Sequence, residues 1–204
     1  MNSSLPLKLA SASLPLRWKS PQAKIEDFTL TGPDGAMIEA KPVGMTRLNE
    51  SGAIRRADGT WVFEGALLKV VRSLGGPAQP QTNMDQFKGK WTDNRQLLWR
   101  AAKTGDALTL EIPVESSGTY EVRGKFTIAP DYAKFRFALA GKTLNQGKTI
   151  DLYNKKIRPA RLMSLGSGPL TKGKHQFTVT VLGKNPSSSG FNFGLDEIQL
   201  VPSR

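Results

Sequence analysis

One histidine, His175, and no cysteine stand among the 204 residues of this chain, and those two counts decide most of the chemistry open to it. Without cysteine there is no thiolate nucleophile, disulfide framework, thiolate zinc site or iron–sulfur cluster. A site built from two or three histidines is excluded in the same way. A serine nucleophile would need His175 as its base, and no glycine-x-serine-x-glycine elbow is present. His175 also lies two residues before Phe177, on the same face of an expected strand, where a structural histidine is the better reading. Carboxylates remain. Glu64, Asp131 and Asp151 are of the type that cleaves glycosidic bonds when two converge, but no spacing in the sequence brings two of them together. The expectation is a chain that binds without catalysing.

Charge narrows the partner. The chain holds 29 basic and 17 acidic side chains, a net +12, which favours nucleic acid, anionic polysaccharide or a membrane surface. Residues 1–59 contribute eight basic and six acidic side chains, and residues 60–204 contribute 21 and 11. The basic character therefore belongs to the larger C-terminal part. No stretch approaches the length of a membrane-spanning helix. Residues 1–18 lack the apolar run of a signal peptide.

The elements that must position any site read as strands. Ala107–Val114 sets Leu108, Leu110, Ile112 and Val114 on one face at period two. Thr119–Ile128 repeats the alternation through Tyr120, Val122, Phe126 and Ile128, with Gly124 at a bulge or close approach. Lys134–Gly141 alternates Phe135, Phe137 and Leu139, and His175–Leu182 alternates Phe177, Val179 and Val181. Thr149–Tyr153 is a short strand, and Phe191–Val201 closes the chain with Ile198 and Leu200 inward. Ala66–Ser73 reads as a further strand rather than a helix, because Gly65, Gly75 and Gly76 leave no length for helical turns. In the first sixty residues, Gly32-Pro-Asp-Gly35 and Ala57-Asp-Gly-Thr60 are hairpin turns, the second feeding Trp61-Val-Phe63. Such spacing predicts an all-β fold, an antiparallel β-sandwich of jelly-roll type over residues 60–204. Residues 1–59 form an N-terminal hairpin extension or the edge of a neighbouring module.

From Trp61 onward an ordered set of short pieces accumulates. It includes Phe63-Glu-Gly65, Gly89-Lys-Trp91, Gln96-Leu-Leu-Trp99, Gly105–Leu110, Gly118–Val122, Ala129-Pro-Asp-Tyr132, Ile150–Tyr153, Gly173-Lys-His175, Gly183-Lys-Asn185 and Gly194–Ile198. This order resembles the galactose-binding-like β-jelly-roll carbohydrate-binding modules, most of all those appended to polysaccharide-degrading and surface proteins of planctomycete and verrucomicrobial bacteria. The resemblance implies a non-catalytic module that binds a polysaccharide beside a neighbouring domain or subunit, secreted, periplasmic or on the cell surface.

The same resemblance implies site residues. A structural calcium shared by an acid of the first strand and an aspartate of the last would use Glu64 and Asp196, although Ala66 stands where such modules often carry a second glutamate. The alternative is that Asp196 caps backbone amides and Glu64 pairs with a nearby Lys or Arg. Sugar rings would stack on loop aromatics, for which Trp91, Tyr132, Tyr153 and Phe191 are candidates, while Trp99 reads as core. Asn185, in the loop Lys184–Gly190, and Asn192 are candidates for the hydroxyls. Lys155, Lys156, Arg158 and Arg161 form either a solvated loop or a subsite for the sulfate or carboxylate of an anionic glycan. Nucleic acid could use that cluster, but no recognition helix, RNA-binding aromatic pair or phosphate-cradling glycine loop accompanies it. The other reading of the whole is a structural or protein-interaction jelly roll with no sugar site.

Overall fold

The structure is a computed structural model that describes residues 53–203 and, before them, short strands at 30–31, 37–38 and 47–48. Two compact units divide the chain, Met1–Val43 and Gly44–Arg204. In the first, β1 (Leu30–Thr31) and β2 (Met37–Ile38) pair antiparallel on either side of Gly32–Gly35, the turn itself lying outside the described residues.

The second unit is all strand and turn. It contains β3 (Arg47–Leu48), β4 (Ile54–Arg55), β5 (Trp61–Glu64), β6 (Val70–Ser73), β7 (Ala78–Thr82), β8 (Arg95–Trp99), β9 (Ala107–Val114) and β10 (Gly118–Ile128). There follow β11 (Ala133–Leu139), β12 (Lys142–Thr143), β13 (Ile150–Asp151), β14 (Arg158–Pro159), β15 (Met163–Leu170), β16 (Gly173–Lys184) and β17 (Phe193–Pro202). Two antiparallel sheets form. One has nine strands, with β10 and β17 at its centre, β14 and β15 outside β10, and β5 and β8 outside β17; β4 and β3 continue beyond β5, and β7 beyond β8. The other runs β12-β11-β16-β9-β6, with β13 beside β11.

The inner faces make one core. Along β9 the burial alternates residue by residue, so Leu108, Leu110, Ile112 and Val114 all point inward. Opposite them stand Phe177, Val179 and Val181 of β16. Phe137 is the hub. Its ring stacks on Phe126 from the other sheet at 4.9 Å between centroids and on Phe177 at 5.8 Å, while Phe193 closes edge-on against Phe135 at 5.0 Å. These aromatic contacts add to the area they bury.

Two local expectations change. Ala66–Ser73 is not one strand: Gly65–Leu67 is a 3₁₀ turn and only Val70–Ser73 is extended. The chain must cross here from the nine-stranded to the six-stranded sheet, which a continuous strand cannot do. β15, Met163-Ser-Leu-Gly-Ser-Gly-Pro-Leu170, has no legible pattern, yet it pairs with β10 over residues 118–124. It pairs on one side only, and Pro and Gly are tolerated on such an edge.

Replacing the hub ring tests this core. Phe137→Ala is expected to cost about 3–5 kcal/mol in urea unfolding, and a loss below about 1 kcal/mol would show that the two sheets do not meet there.

Candidate functional site

A charged layer lies on the outer face of the nine-stranded sheet. Asp196, fully buried, is the extra residue of a bulge in β17: Lys125 of β10 faces Glu197, and the next residue, Phe126, faces Leu195. At the same point β17 changes its other neighbour from β8 to β5, which sets Glu64 directly across from Glu197. A carboxylate so placed needs counter-charges and donors. Asp196 Oδ1 accepts the Thr92 backbone N–H at 2.8 Å, and Oδ2 lies 2.7 Å from Lys125 Nζ, an ion pair set too bent for a good hydrogen bond. Glu64, 6% exposed, takes the Arg95 guanidinium in a two-pronged pair, Nε on Oε1 and Nη2 on Oε2 at 2.9 Å. Burial pushes the Glu64 carboxyl above the ordinary carboxylate value, the charges of Asp93 and Asp196 act the same way, and Arg95 opposes them.

These contacts hold segment 90–95 over the sheet, and with it Trp91. The indole is 7% exposed and donates its N–H to Thr127 Oγ1 at 2.7 Å. Its faces are therefore packed, and Trp91 is not the stacking platform expected from its polar neighbours. Thr127 donates in turn to Gln96 Oε1, and Gln96 Nε2 donates to Gln81 Oε1 at 2.7 Å and to the Tyr132 hydroxyl at 3.3 Å. Gly194 makes room for this chain of bonds, since a Cβ there would lie 2.6 Å from the Tyr132 hydroxyl. Burial pushes the Tyr132 phenol well above its ordinary value, so it stays protonated.

Three of the bonded side chains, Gln81, Gln96 and Tyr132, line a cleft of about 160 Å³. Phe87, Leu98 and Ile157 supply apolar wall, and Gln81, Arg100, Asp131 and Asn192 supply polar wall. Three loops meet beside it. Tyr153 bridges Ala129 and Asn192 bridges Tyr132 through backbone pairing, while Ser188 donates its hydroxyl to the Tyr132 carbonyl at 2.8 Å. Asn192 Nδ2 donates to Asp131 Oδ2 at 2.8 Å, and Asp131 Oδ1 has no side-chain partner among the described residues. Tyr132 accepts from Gln96, and its hydroxyl donates to no acceptor among the described residues. Arg100 is exposed and makes no side-chain hydrogen bond or ion pair among the described residues.

Of the residues expected at a binding site, Tyr132 and Asn192 line this cleft, Tyr132 by its edge because the ring is only 4% exposed. Lys156 and Arg158 are exposed on either side of Ile157, and Lys155 precedes them. Arg158 keeps only a long bond to Asn154. Tyr153 is half-buried. Asn185 Nδ2 donates to Asp151 Oδ2 at 2.8 Å and its Oδ1 accepts the Ser187 N–H, and it does not line the cleft. Phe191 is half-buried against the core with the Lys184 ammonium 5.0 Å from its ring. His175 bonds the Thr171 carbonyl, as a structural histidine does. Phe87, Arg100 and Ile157 escape the sequence reading, since nothing local marks them. Gln96 is marked, being the polar residue that opens the apolar run Leu97-Leu-Trp99.

A calcium ion at Glu64 and Asp196 does not fit this arrangement. Both Glu64 oxygens face the Arg95 guanidinium and Asp196 Oδ2 faces the Lys125 ammonium, so two cations of the chain stand where calcium, which takes six to eight oxygen ligands, would have to sit. Among the described residues no group of three or more His, Cys, Asp or Glu could hold a metal ion.

No known family and no curated protein matches the sequence. Solved structures do match by shape. A Paenibacillus xanthan lyase superposes at a TM-score of 0.62 with 19% identity, over 85% of this chain and 14% of the lyase. A Podospora anserina GH26-CBM35 β-(1,4)-mannanase matches at 0.46 with 14% identity, over 72% of this chain and 28% of that one. A family 35 carbohydrate-binding module from Clostridium thermocellum matches at 0.43 with 16% identity, over 69% and 97%. The chain thus spans about one seventh of the lyase, and the likeness is one of fold, an antiparallel jelly-roll sandwich.

The Glu64–Arg95 pair has a pH signature. Arg95→Ala leaves a buried carboxylate without its cation, at an expected cost of about 2–3 kcal/mol near pH 7 after allowing for the partial exposure of Arg95. In the variant the folded Glu64 binds its proton more tightly than the unfolded chain, whose ordinary value is 4.5. Stability is then lost as pH rises above that value and recovered as pH falls. Urea midpoints of both proteins at pH 4 and pH 7 check it: the gap should shrink at pH 4, and a constant gap refutes the pairing.

Proposed function

We propose that the chain is a non-catalytic carbohydrate-binding module whose cleft takes one unit of an anionic polysaccharide. The observation that carries this reading is the set of uncommitted groups around the cleft. The Tyr132 hydroxyl and the Arg100 guanidinium can donate, Asp131 Oδ1 can accept, and Phe87, Leu98 and Ile157 offer apolar surface between them. A sugar ring presents the complement, hydroxyls at its rim and C–H groups on its faces. The bonds from Trp91 through Thr127 and Gln96 hold the donors in place before a ligand arrives, which lowers the ordering cost of binding.

The anionic class follows from the rim. Apolar wall residues are flanked in sequence by exposed cations, Lys88 after Phe87 and Lys156 and Arg158 around Ile157, and none of the three has a carboxylate partner among the described residues. A carboxylate or sulfate on the bound unit or its neighbour would meet them. The volume suits a single ring, so the polymer would continue outside the cleft over this rim. Such a ligand places the work of the module outside the cytoplasm, holding a larger protein on its polysaccharide. The fold shared with part of a xanthan lyase is in keeping with that role.

Affinity electrophoresis tests the reading. The protein is expected to be retarded at low salt by gels containing a carboxylated or sulfated polysaccharide. Arg100→Ala or Asp131→Ala should each weaken retardation about tenfold or more, the loss of a charge-assisted hydrogen bond. Lys156→Ala/Arg158→Ala should flatten its dependence on salt. No retardation by any polysaccharide sinks the proposal, and equal retardation by neutral ones sinks its anionic part.

A further inference from the structure

Glu64 and Asp196 reach the same outer face from two different strands, and each is met by one cation of the chain itself. Arg95 closes on both oxygens of Glu64, and Lys125 sits 2.7 Å from Asp196 Oδ2. The pair supplies two positive charges, the charge of a divalent ion. It also performs mechanical work, tying the bulge of β17 to β10 through Lys125 and β5 to the start of β8 through Arg95, with the crossing segment between them. Thr92 is bound by its backbone N–H to Asp196 and by its hydroxyl to Glu197, and Lys125 also donates to the Lys90 carbonyl.

We infer that Arg95 and Lys125 take the place of a structural calcium at Glu64 and Asp196, as an internal-cation clasp that fixes segment 90–95 without metal. The inference goes beyond the sugar reading and stands without it. Its physical basis is occupancy. A guanidinium in a two-pronged pair takes one lone pair on each Glu64 oxygen and sets a full positive charge against the carboxylate, so calcium could bind there only by expelling Arg95 and replacing two charge-assisted bonds. Asp196 is fully buried, its Oδ1 accepts a backbone N–H and its Oδ2 is met by the Lys125 ammonium at 2.7 Å, so a calcium ion would have to displace that cation to reach it. A covalently attached cation also has no concentration dependence, whereas a bound ion stabilises in proportion to the logarithm of its free concentration. The clasp would therefore hold Trp91, and beyond it Phe87 at the cleft wall, at any ambient calcium level. Phe87 and Trp91 meet edge to face with centroids 6.4 Å apart, which links the cleft wall to the held segment.

Thermal melting of wild-type protein in chelator and in millimolar calcium is the first measurement, and the two midpoints should coincide. Arg95→Ala/Lys125→Ala should melt lower in chelator by about 4 °C or more and regain part of that in calcium, because its freed carboxylates become a cation site. Terbium luminescence should rise on titrating the double variant and stay flat for the wild type, and adding Glu64→Gln to the double variant should abolish the rise. If the double variant does not fold, Lys125→Ala alone is read in the same way. A wild-type midpoint that climbs with calcium overturns the inference. So does a folded variant that loses stability and ignores calcium, since its carboxylates would then never have formed a place for an ion.

Discussion

A buried carboxylate in the middle of a central strand is the constraint from which the rest of this molecule follows. β17 is covered on both faces from Phe193 to Leu200, and Asp196 sits inside that stretch with no solvent access. An isolated charge there would be costly, so the surrounding chain must bring donors and cations to it. Lys125 reaches it from the neighbouring strand, and the backbone of Thr92 comes from a segment folded across the sheet. The need to satisfy one aspartate thus pulls the stretch before β8 over the outer face of the nine-stranded sheet. Without that stretch the outer face would be open to water, as one face of an antiparallel sheet commonly is.

Covering the outer face creates a second interior, and its character differs from the first. Between the sheets the contacts are aromatic and aliphatic, with Phe137 touching rings from both layers. Beneath the crossing segment the contacts are hydrogen bonds in sequence, from Trp91 to Thr127, Gln96, Gln81 and Tyr132. A buried amide such as Gln96 has to spend its oxygen and both hydrogens locally, and the partners it finds fix their positions. The core gives the sandwich its stability, while the polar layer gives the cleft its geometry. Placing the rigid layer under a small opening at the loop end yields polar groups held ready and not fully consumed. Tyr132 illustrates the point, since its oxygen is tied down by Gln96 while its proton is not.

The loop end owes its form to backbone pairing rather than to side chains. Leu152 and Asn154 donate their N–H groups to Ala133 and Ala129, and Asn192 donates its backbone N–H to Asp131. Loops pinned in this way can carry cations outward at little conformational cost, which is how Lys155, Lys156 and Arg158 stand exposed with no acidic partner among the described residues. Some basic residues elsewhere are compensated: Lys174 and Lys69 flank Glu111, and Arg123 pairs with Glu121.

Composition and periodicity alone determined that this chain is an antiparallel β-sandwich with no cysteine or multi-histidine chemistry. Period-two alternation in β9, β11 and β16 is a local property, written in consecutive residues, and the core they form is the one read from them. The two acids, the basic cluster, Tyr132 and Asn192 were also visible by residue type. What each does was decided by tertiary structure, because it depends on partners far away in sequence: Arg95 lies 31 residues from Glu64, and Thr92 lies 104 from Asp196. The same holds for Trp91, which reads as a loop aromatic and is buried because Thr127, 36 residues on, accepts its N–H. β15 shows the limit from the other side, since an edge strand needs little propensity of its own when a neighbour supplies the template. Sequence determines which faces are apolar, and only the folded chain determines which charges and hydrogen-bonding groups are left unspent.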